Sequence, residues 1–474
     1  MKKHFVGLFL LISFVCLSQD YQVESFGAKS DGVNDNTPFI QAAIDSCSNH
    51  GGGIVELSKA GIYLSGTIHL KNNVSLEIFP NVTLKAIENS NALKKIQSSI
   101  LSRMDVVPWK AFICADKQQN IRIFGGGMID GSGGSACFRD GIENSPERPY
   151  GLFLINCTNV VVEDIKLQSS AFWMQRYLNC KAIRLNRLRV FNHVNKNNDG
   201  IDIDSSNDVI ISDCIIDSSD DGICIKSEGM NPSKNIVISN CIVSSHASAI
   251  KLGTGSVGGF ENITITNCVI KRSESKVMMH PSGVWGGLTG IELLTTDGGP
   301  MKQVIVSNIT MEDVENPIHI RLGNRLSGTV ARQGYGEKAD QMQGVKTNVK
   351  GATINSESIL EDIILSNITG KNIGPYPVIV AGYEGHPVRR ITLRDITMVY
   401  GRPGKKEDEL ITPNWKANGY PGRGMYGTCL PAYGLVTNFT EDLLIDNFRA
   451  MPAPGEHRTV VKHWNRKLNV KHIK

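Results

Sequence analysis

Apolar and polar residues alternate along this chain in short stretches, and one nine-residue phrase returns many times. NVVVEDIKL begins at Asn159, KAIRLNRLR at Lys181, DVIISDCII at Asp208, NIVISNCIV at Asn235 and NITITNCVI at Asn262, so successive starts lie 22, 27, 27 and 27 residues apart. The phrase comes back as QVIVSNITM at Gln303, DIILSNITG at Asp362, RITLRDITM at Arg390 and DLLIDNFRA at Asp442, and an earlier version, NIRIFGGGM, stands at Asn120. Each copy alternates β-branched and polar residues, then places Asn or Asp at a bend before a second short apolar run. A period this short leaves no room for a helix between strands, and the blades of a β-propeller, at about 40–50 residues, are too long. The pattern predicts a parallel β-solenoid whose coils stack at about 4.8 Å and whose inward residues form continuous ladders.

One stretch reads as a helix. Asn36-Thr37-Pro38 supplies a cap and a first-turn proline, after which Ile40, Ala43, Ile44 and Cys47 fall on one face, and Gly51-Gly52-Gly53 ends the element. Preceding the first coils, it is placed to cover the open apolar end of the stack. The expected architecture is all-β, a single-stranded parallel β-helix with an N-terminal capping helix. Two insertions, near 323–360 and 400–433, break the period and are expected to shape a binding face.

The first eighteen residues have a basic start at Lys2 and Lys3, an apolar run from Val6 to Val15 and small residues before Gln19, which reads as a signal peptide. Residues 19–474 are then one exported domain, periplasmic or secreted, monomeric and without a membrane segment. The chain carries 50 Lys+Arg against 46 Asp+Glu, a formal charge of +4 that falls to 48 − 46 = +2 without the leader. No nucleic-acid partner is implied by so even a balance. Of the eleven cysteines, Cys214, Cys241 and Cys268 recur at the coil period and are expected to stack as small buried side chains; none has zinc-ligand spacing, and neither metal nor cofactor is expected.

Coil spacing also locates the chemistry. Asp199, in Asn197-Asn198-Asp199-Gly200, lies 22 residues before Asp221 in Ser219-Asp220-Asp221-Gly222, and Asp221 lies 25 before His246. Residues one period apart stack, so these groups should line one flank, provided the backbone bends to let Asp220 and Asp221 share a face. Crowded carboxylates split their pKa values, giving one acid and one base, as glycoside hydrolysis requires. The spacing does not say which Asp is the acid. Asp202, Asp204, Asp208, Asp213 and Asp217 are read as bend residues bonded to nearby amides.

The Asn197-x-Asp199-Gly200 and Asp220-Asp221 motifs, with Ser245-His246-Ala247 in place of a Gly-His-Gly, resemble glycoside hydrolase family 28, the polygalacturonase family of right-handed β-helices. The segment FGAKSDGVNDNTPFIQAAIDS is similar to the family's N-terminal phrase, and the likeness runs from about Tyr21 to Arg449. It implies an inverting hydrolase acting on an α-linked, galacturonic-acid-containing polysaccharide or oligosaccharide of pectin or rhamnogalacturonan type. By the same resemblance Asp220 is the acid, Asp199 and Asp221 hold and activate water, and His246 tunes the acid. Where the family carries an Arg-Ile-Lys clamp for the substrate carboxylate, this chain has Glu292-Leu293-Leu294, and Ser219 replaces a glycine. Asn197, Lys226, Lys251, Arg321 and Arg325 are the residues nominated to hold substrate in its stead, with Trp285 a further stacking candidate. A pectate-lyase-like elimination and a non-catalytic carbohydrate-binding solenoid are the alternatives.

Overall fold

The structure, a computed structural model, describes residues 20–100, 102–105, 107–139, 141, 145–279, 286–325, 357–413, 415, 430–464 and 469–470. The leader, Trp285, most of the first insertion, part of the second and residues 465–468 and 471–474 lie outside them.

Every phrase identified in the sequence lies in a strand or strand pair that joins its successor in parallel. Ile183 pairs with Val209, Val209 with Ile236, Ile236 with Ile263, Ile263 with Val304, Val304 with Ile363, Ile363 with Ile391 and Ile391 with Leu443. All these side chains are buried, so one ladder of aliphatic residues runs through the interior. Cys214, Cys241 and Cys268 form a second ladder as buried free thiols, and Cys157 and Cys180 are likewise free. The fold is a right-handed parallel β-helix, with the hand that right-twisted parallel strands impose on their crossovers.

The bends explain the sequence phrase. Asn159, Asp208, Asn235, Asn262, Gln303, Asp362, Arg390 and Asp442, the first residues of their copies, all have φ between +51° and +58°, and so do the second bends at Asp213, Asn240, Asn267, Asn308 and Asp395. Asn and Asp enter this left-handed region more cheaply than other side chains. They also bond to one another between coils: Asn235 donates to Asp208 at 2.9 Å, Asn262 to Asn235 at 2.9 Å and Asn367 to Asn308 at 2.7 Å. Asp208 and Asp213 are thus the bend residues expected. Asp202, Asp204 and Asp217 are not; they are buried partners of Lys226, Arg176 and His193.

The capping helix spans Thr37–Asn49, with Ile40, Ala43, Ile44 and Cys47 buried against the first coils. Its start differs in detail from the expectation: the Thr37 amide bonds to the Asp35 carboxylate at 2.8 Å, while the Asn36 side chain turns back to the Lys29 backbone. Gly52, at φ +111°, ends the helix where a Cβ would meet the Asn73 carbonyl at 2.4 Å. Near the C-terminal end Arg458 is buried, its guanidinium bonded to Glu456 and to the Pro375 and Leu430 carbonyls.

Among the described residues the strands form a 22-stranded and a 13-stranded sheet. The smaller sheet positions the site. Along it, Ile201, Ile203, Ile223, Ile225, Ile250, Leu252, Ile291 and Leu293 point into the core. The alternate residues, on the outer face, change character along the stack. The early coils present Trp109, Tyr150, Phe153, Phe172 and Trp173 as one apolar cluster, and the late coils present Ile379, Ala381, Ala432 and Val436 as another. Between them stand Asp202, Asp204, Lys226, Lys251, Glu292, His319 and Arg321, all buried. Charge is costly to bury without partners, so this central band marks the functional region.

Candidate active site

Asp199 and Asp221 occupy the turns that enter strands Ile201–Asp204 and Ile223–Ser227. Ile201 pairs with Ile223 and the Gly200 amide donates to the Asp221 carbonyl at 2.9 Å, which stacks Asp221 on Asp199 one coil later. The glycines that follow are required by this closeness: a Cβ on Gly200 would meet the Gly222 carbonyl at 2.6 Å, and one on Gly222 the Ala249 carbonyl at 2.5 Å. The predicted bend lies at Ser219 and Asp220. Ser218 Oγ donates to the carbonyls of both Asp220 and Asp221, Ser245 Oγ donates to that of Asp220, and Ser219 Oγ to that of Asn195. Hydroxyls therefore staple the turn at two positions where the family pattern has glycine. Asn198 fixes the preceding coil, accepting from the Val194 and Asn195 amides and donating to the Ser170 and Phe172 carbonyls.

The three acids and the histidine share this edge, as the spacing predicted, with one refinement. Ser218 pairs with Ser245 and the His246 amide donates to the Ser218 carbonyl, so His246 follows the register of Ser219, two residues before that of Asp221. Asp199 and Asp221 are buried at 3% and 5% exposure, and His246 is fully buried; Asp220 alone among the three acids is half-buried and reaches the surface.

Each buried acid is held by a lysine. Lys226 Nζ lies 3.0 Å from Asp199 Oδ2 and also binds Asp202; Lys251 Nζ lies 2.9 Å from Asp221 Oδ2 and 3.6 Å from Glu292. Burial pushes Asp199 up to about 8, with Asp220 and Asp221 adding to the rise and Lys226 opposing it. Burial works against the charge of Lys226, but Asp199 and Asp202 outweigh it and hold the ammonium well above the ordinary lysine range. Glu292 is pushed up by burial, yet Lys251 and a bond from His319 at 3.2 Å hold it below the usual carboxylate range. Two lysines and His319 thus face the carboxylates of Asp199, Asp202, Asp221 and Glu292, and the neighbouring charges of Asp220 and Asp221 add to the rise of Asp199.

The cations nominated for substrate thus take other partners. Lys226 and Lys251 serve the acids; Arg321 is fully buried and donates to the Gly382 carbonyl at 2.7 Å and to that of Trp415; Arg325 pairs with Asp297. The physical reason is burial, since an interior ammonium or guanidinium must be compensated within the protein. Asn197 is half-buried with φ +51°, its amide oxygen accepting from Arg148 at 2.7 Å. Glu292 lies on the outer face in register with Lys251 and His319, so the position of the missing clamp carries the opposite charge.

Sequence reasoning missed His193. It is buried, its Nε2 2.8 Å from Asp217, and its ring centroid 4.8 Å from that of His246. A signal existed, because His193 precedes His246 by 53 residues, two coil periods. Asp217 is pushed up by burial but held below its ordinary range by bonds from His193, Ser273 and the Glu274 amide. Also missed were Arg176, bound to Asp105 and Asp204, and Trp173, whose ring lies 4.0 Å beneath Lys226 Nζ. Among the described residues no three His, Cys, Asp or Glu side chains group as a metal site, and no helix is long and apolar enough to cross a membrane.

Comparison with known proteins agrees with this arrangement. The chain is 24% identical over 392 residues to Polygalacturonase QRT2 of Arabidopsis thaliana, covering 80% of this chain and 78% of that protein. Among solved structures, the family 28 exopolygalacturonase of Yersinia enterocolitica superposes with a TM-score of 0.67 at 19% identity, covering 97% of this chain and 78% of that one. The hyperthermoactive exopolygalacturonase of Thermotoga maritima gives 0.61 at 21% identity, covering 81% and 88%. The family model for glycosyl hydrolases family 28 matches residues 47–417, and with that match over most of the length the chain belongs to this family and is a glycosidase.

Proposed function

We propose that this glycosidase hydrolyses, with inversion, an α-linked polysaccharide or oligosaccharide containing galacturonic acid. The observation that carries the reading is the division of labour among three neighbouring carboxylates: two buried and lysine-bound, one reaching the surface. Asp220, at the surface, is the group that can meet a glycosidic oxygen and donate a proton to it. Asp199 and Asp221, fixed by Lys226 and Lys251, hold the attacking water on the other face of the sugar, and the ionised member of the pair takes its proton. Asp220 delivers its proton to the glycosidic oxygen, and His246, packed on His193, tunes it. Lys226 and Lys251 act as charge compensators. Asn197, at the rim, remains the nominated substrate contact.

Glu292 in the clamp position favours a galacturonate-containing heteropolymer over plain homogalacturonan, because this residue, bound to Lys251 and His319, offers no cation there to meet a second uronate on the substrate. The test is to incubate the enzyme with polygalacturonate and with rhamnogalacturonan while following reducing ends, ultraviolet absorbance and the anomeric proton signal of the first product. New reducing ends, no unsaturated product and an inverted anomer are expected. Absorbance rising with the reducing ends would establish elimination instead, and binding with no new ends would establish a non-catalytic solenoid.

A further inference from the structure

The outer face of the smaller sheet is asymmetric about the acids. Arg176 pairs with Asp202, and the Met174 amide donates to the Asp199 carbonyl at 3.0 Å, so Trp173 stands in the column of Asp199 one coil earlier. The column therefore runs from Trp173 through Asp199 and Asp221 to Ser248 and Thr289. On one side of the acids it continues through small polar side chains. On the other it stops at an indole that is 5% exposed and packed into a wall: Trp173 stacks on Phe172 with centroids 5.1 Å apart, Phe172 on Trp109 at 4.9 Å, and Tyr150 touches all three.

This wall is roofed. Ile96, Ile100 and Met104 pack against it, and the strap that carries them is bolted across the face by two buried, two-pronged ion pairs. Arg103 meets Glu228 at 2.6 and 2.7 Å, and Asp105 meets Arg176 at 2.8 and 2.7 Å. The adjacent rim column tells the same story. Phe172 and Asn198 are fully buried, whereas Asp220 and, two coils further, Leu288 are half-exposed. In this column the half-exposed positions are Asp220 and Leu288, with Ala247 buried between them, and none lies on the wall side of the acid.

We infer that the substrate groove ends blindly at Trp173, so that the enzyme attacks chain ends and releases one sugar at a time. The proposal rests on the hydrolase reading above. With Asp220 on the coil of Asp221, the sugar on the wall side of the scissile bond lies over the coil of Asp199. The next coil, about 4.8 Å on, is already filled by the indole and its roof. One pyranose fits between the cleavage point and the wall, and a second does not. The remainder of the polymer leaves past Leu288.

The test is a time course on polygalacturonate and rhamnogalacturonan, comparing viscosity with reducing ends and separating the earliest products, together with hexagalacturonate labelled at its reducing end. The expected result is a monosaccharide as the first small product, with viscosity lagging far behind the release of ends. On the hexamer, a labelled pentamer or a labelled monomer each fits, and tells which end enters. A ladder of intermediate oligomers, or a dimer as the first product, overturns the blind end while leaving the hydrolase reading intact. No new reducing ends from any of these substrates overturns both. In Trp173→Ala the loss of the indole admits a second sugar, and dimer joins the early products; monomer alone from a folded Trp173→Ala refutes the assignment of the indole as the stop. If that variant does not fold, the unsubstituted enzyme still decides the matter.

Discussion

Replacing Lys226 with methionine tests whether the floor lysines exist to compensate the buried acids. The variant keeps most of the stem and removes an ammonium 3.0 Å from Asp199 and bonded to Asp202, whose side chains are 4% and 0% exposed. Taking one partner from a buried ion pair costs about 3–5 kcal/mol, because the remaining charge has lost its compensation. The sign with pH follows from proton binding. In the variant both carboxyls have folded-state pKa values far above the unfolded value of about 3.9. The folded state then holds protons that the unfolded state releases, and stability falls as pH rises. Because Asp199 is already raised to about 8 with the lysine present and Asp202 well above its ordinary value, the two enzymes lose stability in parallel up to about pH 8, and the deficit of the variant should grow only above that, where the unsubstituted enzyme has released the proton and the variant still holds it. Urea unfolding midpoints measured at about pH 7 and about pH 9.5 read this directly. Adding Asp202→Asn to the variant should recover part of the loss at the higher pH. An equal deficit at both pH values, or none at either, would refute the charge-compensation argument.

Asp220→Asn should lower turnover by about 10²–10⁴, the range for a positioned acid, or roughly 3–5.5 kcal/mol, and leave the unfolding midpoint nearly unchanged because the side chain reaches the surface; steady-state kinetics and urea unfolding on one preparation check both. His193→Phe removes a hydrogen bond to the buried Asp217 carboxylate and should cost about 1.5–3 kcal/mol. Because Asp217 is held below its unfolded pKa, that difference should be present above about pH 4 and vanish as pH falls below it, which a pH series of unfolding curves will show. Ile236→Ala opens a cavity in the ladder between Val209 and Ile263 and should cost about 2–5 kcal/mol in the same assay. Incubation with EDTA should leave the hydrolytic rate unchanged; a large loss would point to a cation-dependent elimination.

The periodic features of this protein were legible from the chain. Copies of NIVISNCIV at a 27-residue spacing required inward aliphatic ladders, because strand alternation fixes which side chains face the core once the direction of stacking is set. The bend residues were legible for an equally local reason, the ease with which Asn and Asp take a left-handed backbone. Asp199 and Asp221 could be stacked by counting, and so could Cys214, Cys241 and Cys268.

What counting could not give was the partner of each outward charge. The run IDID, ICIK, AIKL, IELL places acid, lysine, lysine and acid in turn on one outer face, yet whether Lys226 faces substrate or Asp199 depends on how deeply that face is covered. The cover comes from elsewhere in the chain. Arg103 reaches Glu228 across 125 positions, and Asp105 reaches Arg176 across 71. Such contacts follow no period, so the strap and the aromatic wall were invisible to any repeat. The sequence by itself determined the coil, its bends and the edge on which the acids gather, since each is set by short-range sterics repeated at constant pitch. Only the tertiary structure decided which charges are buried and therefore paired, and where the groove stops, because burial is a property of the packed whole and the energy of a charge depends on it.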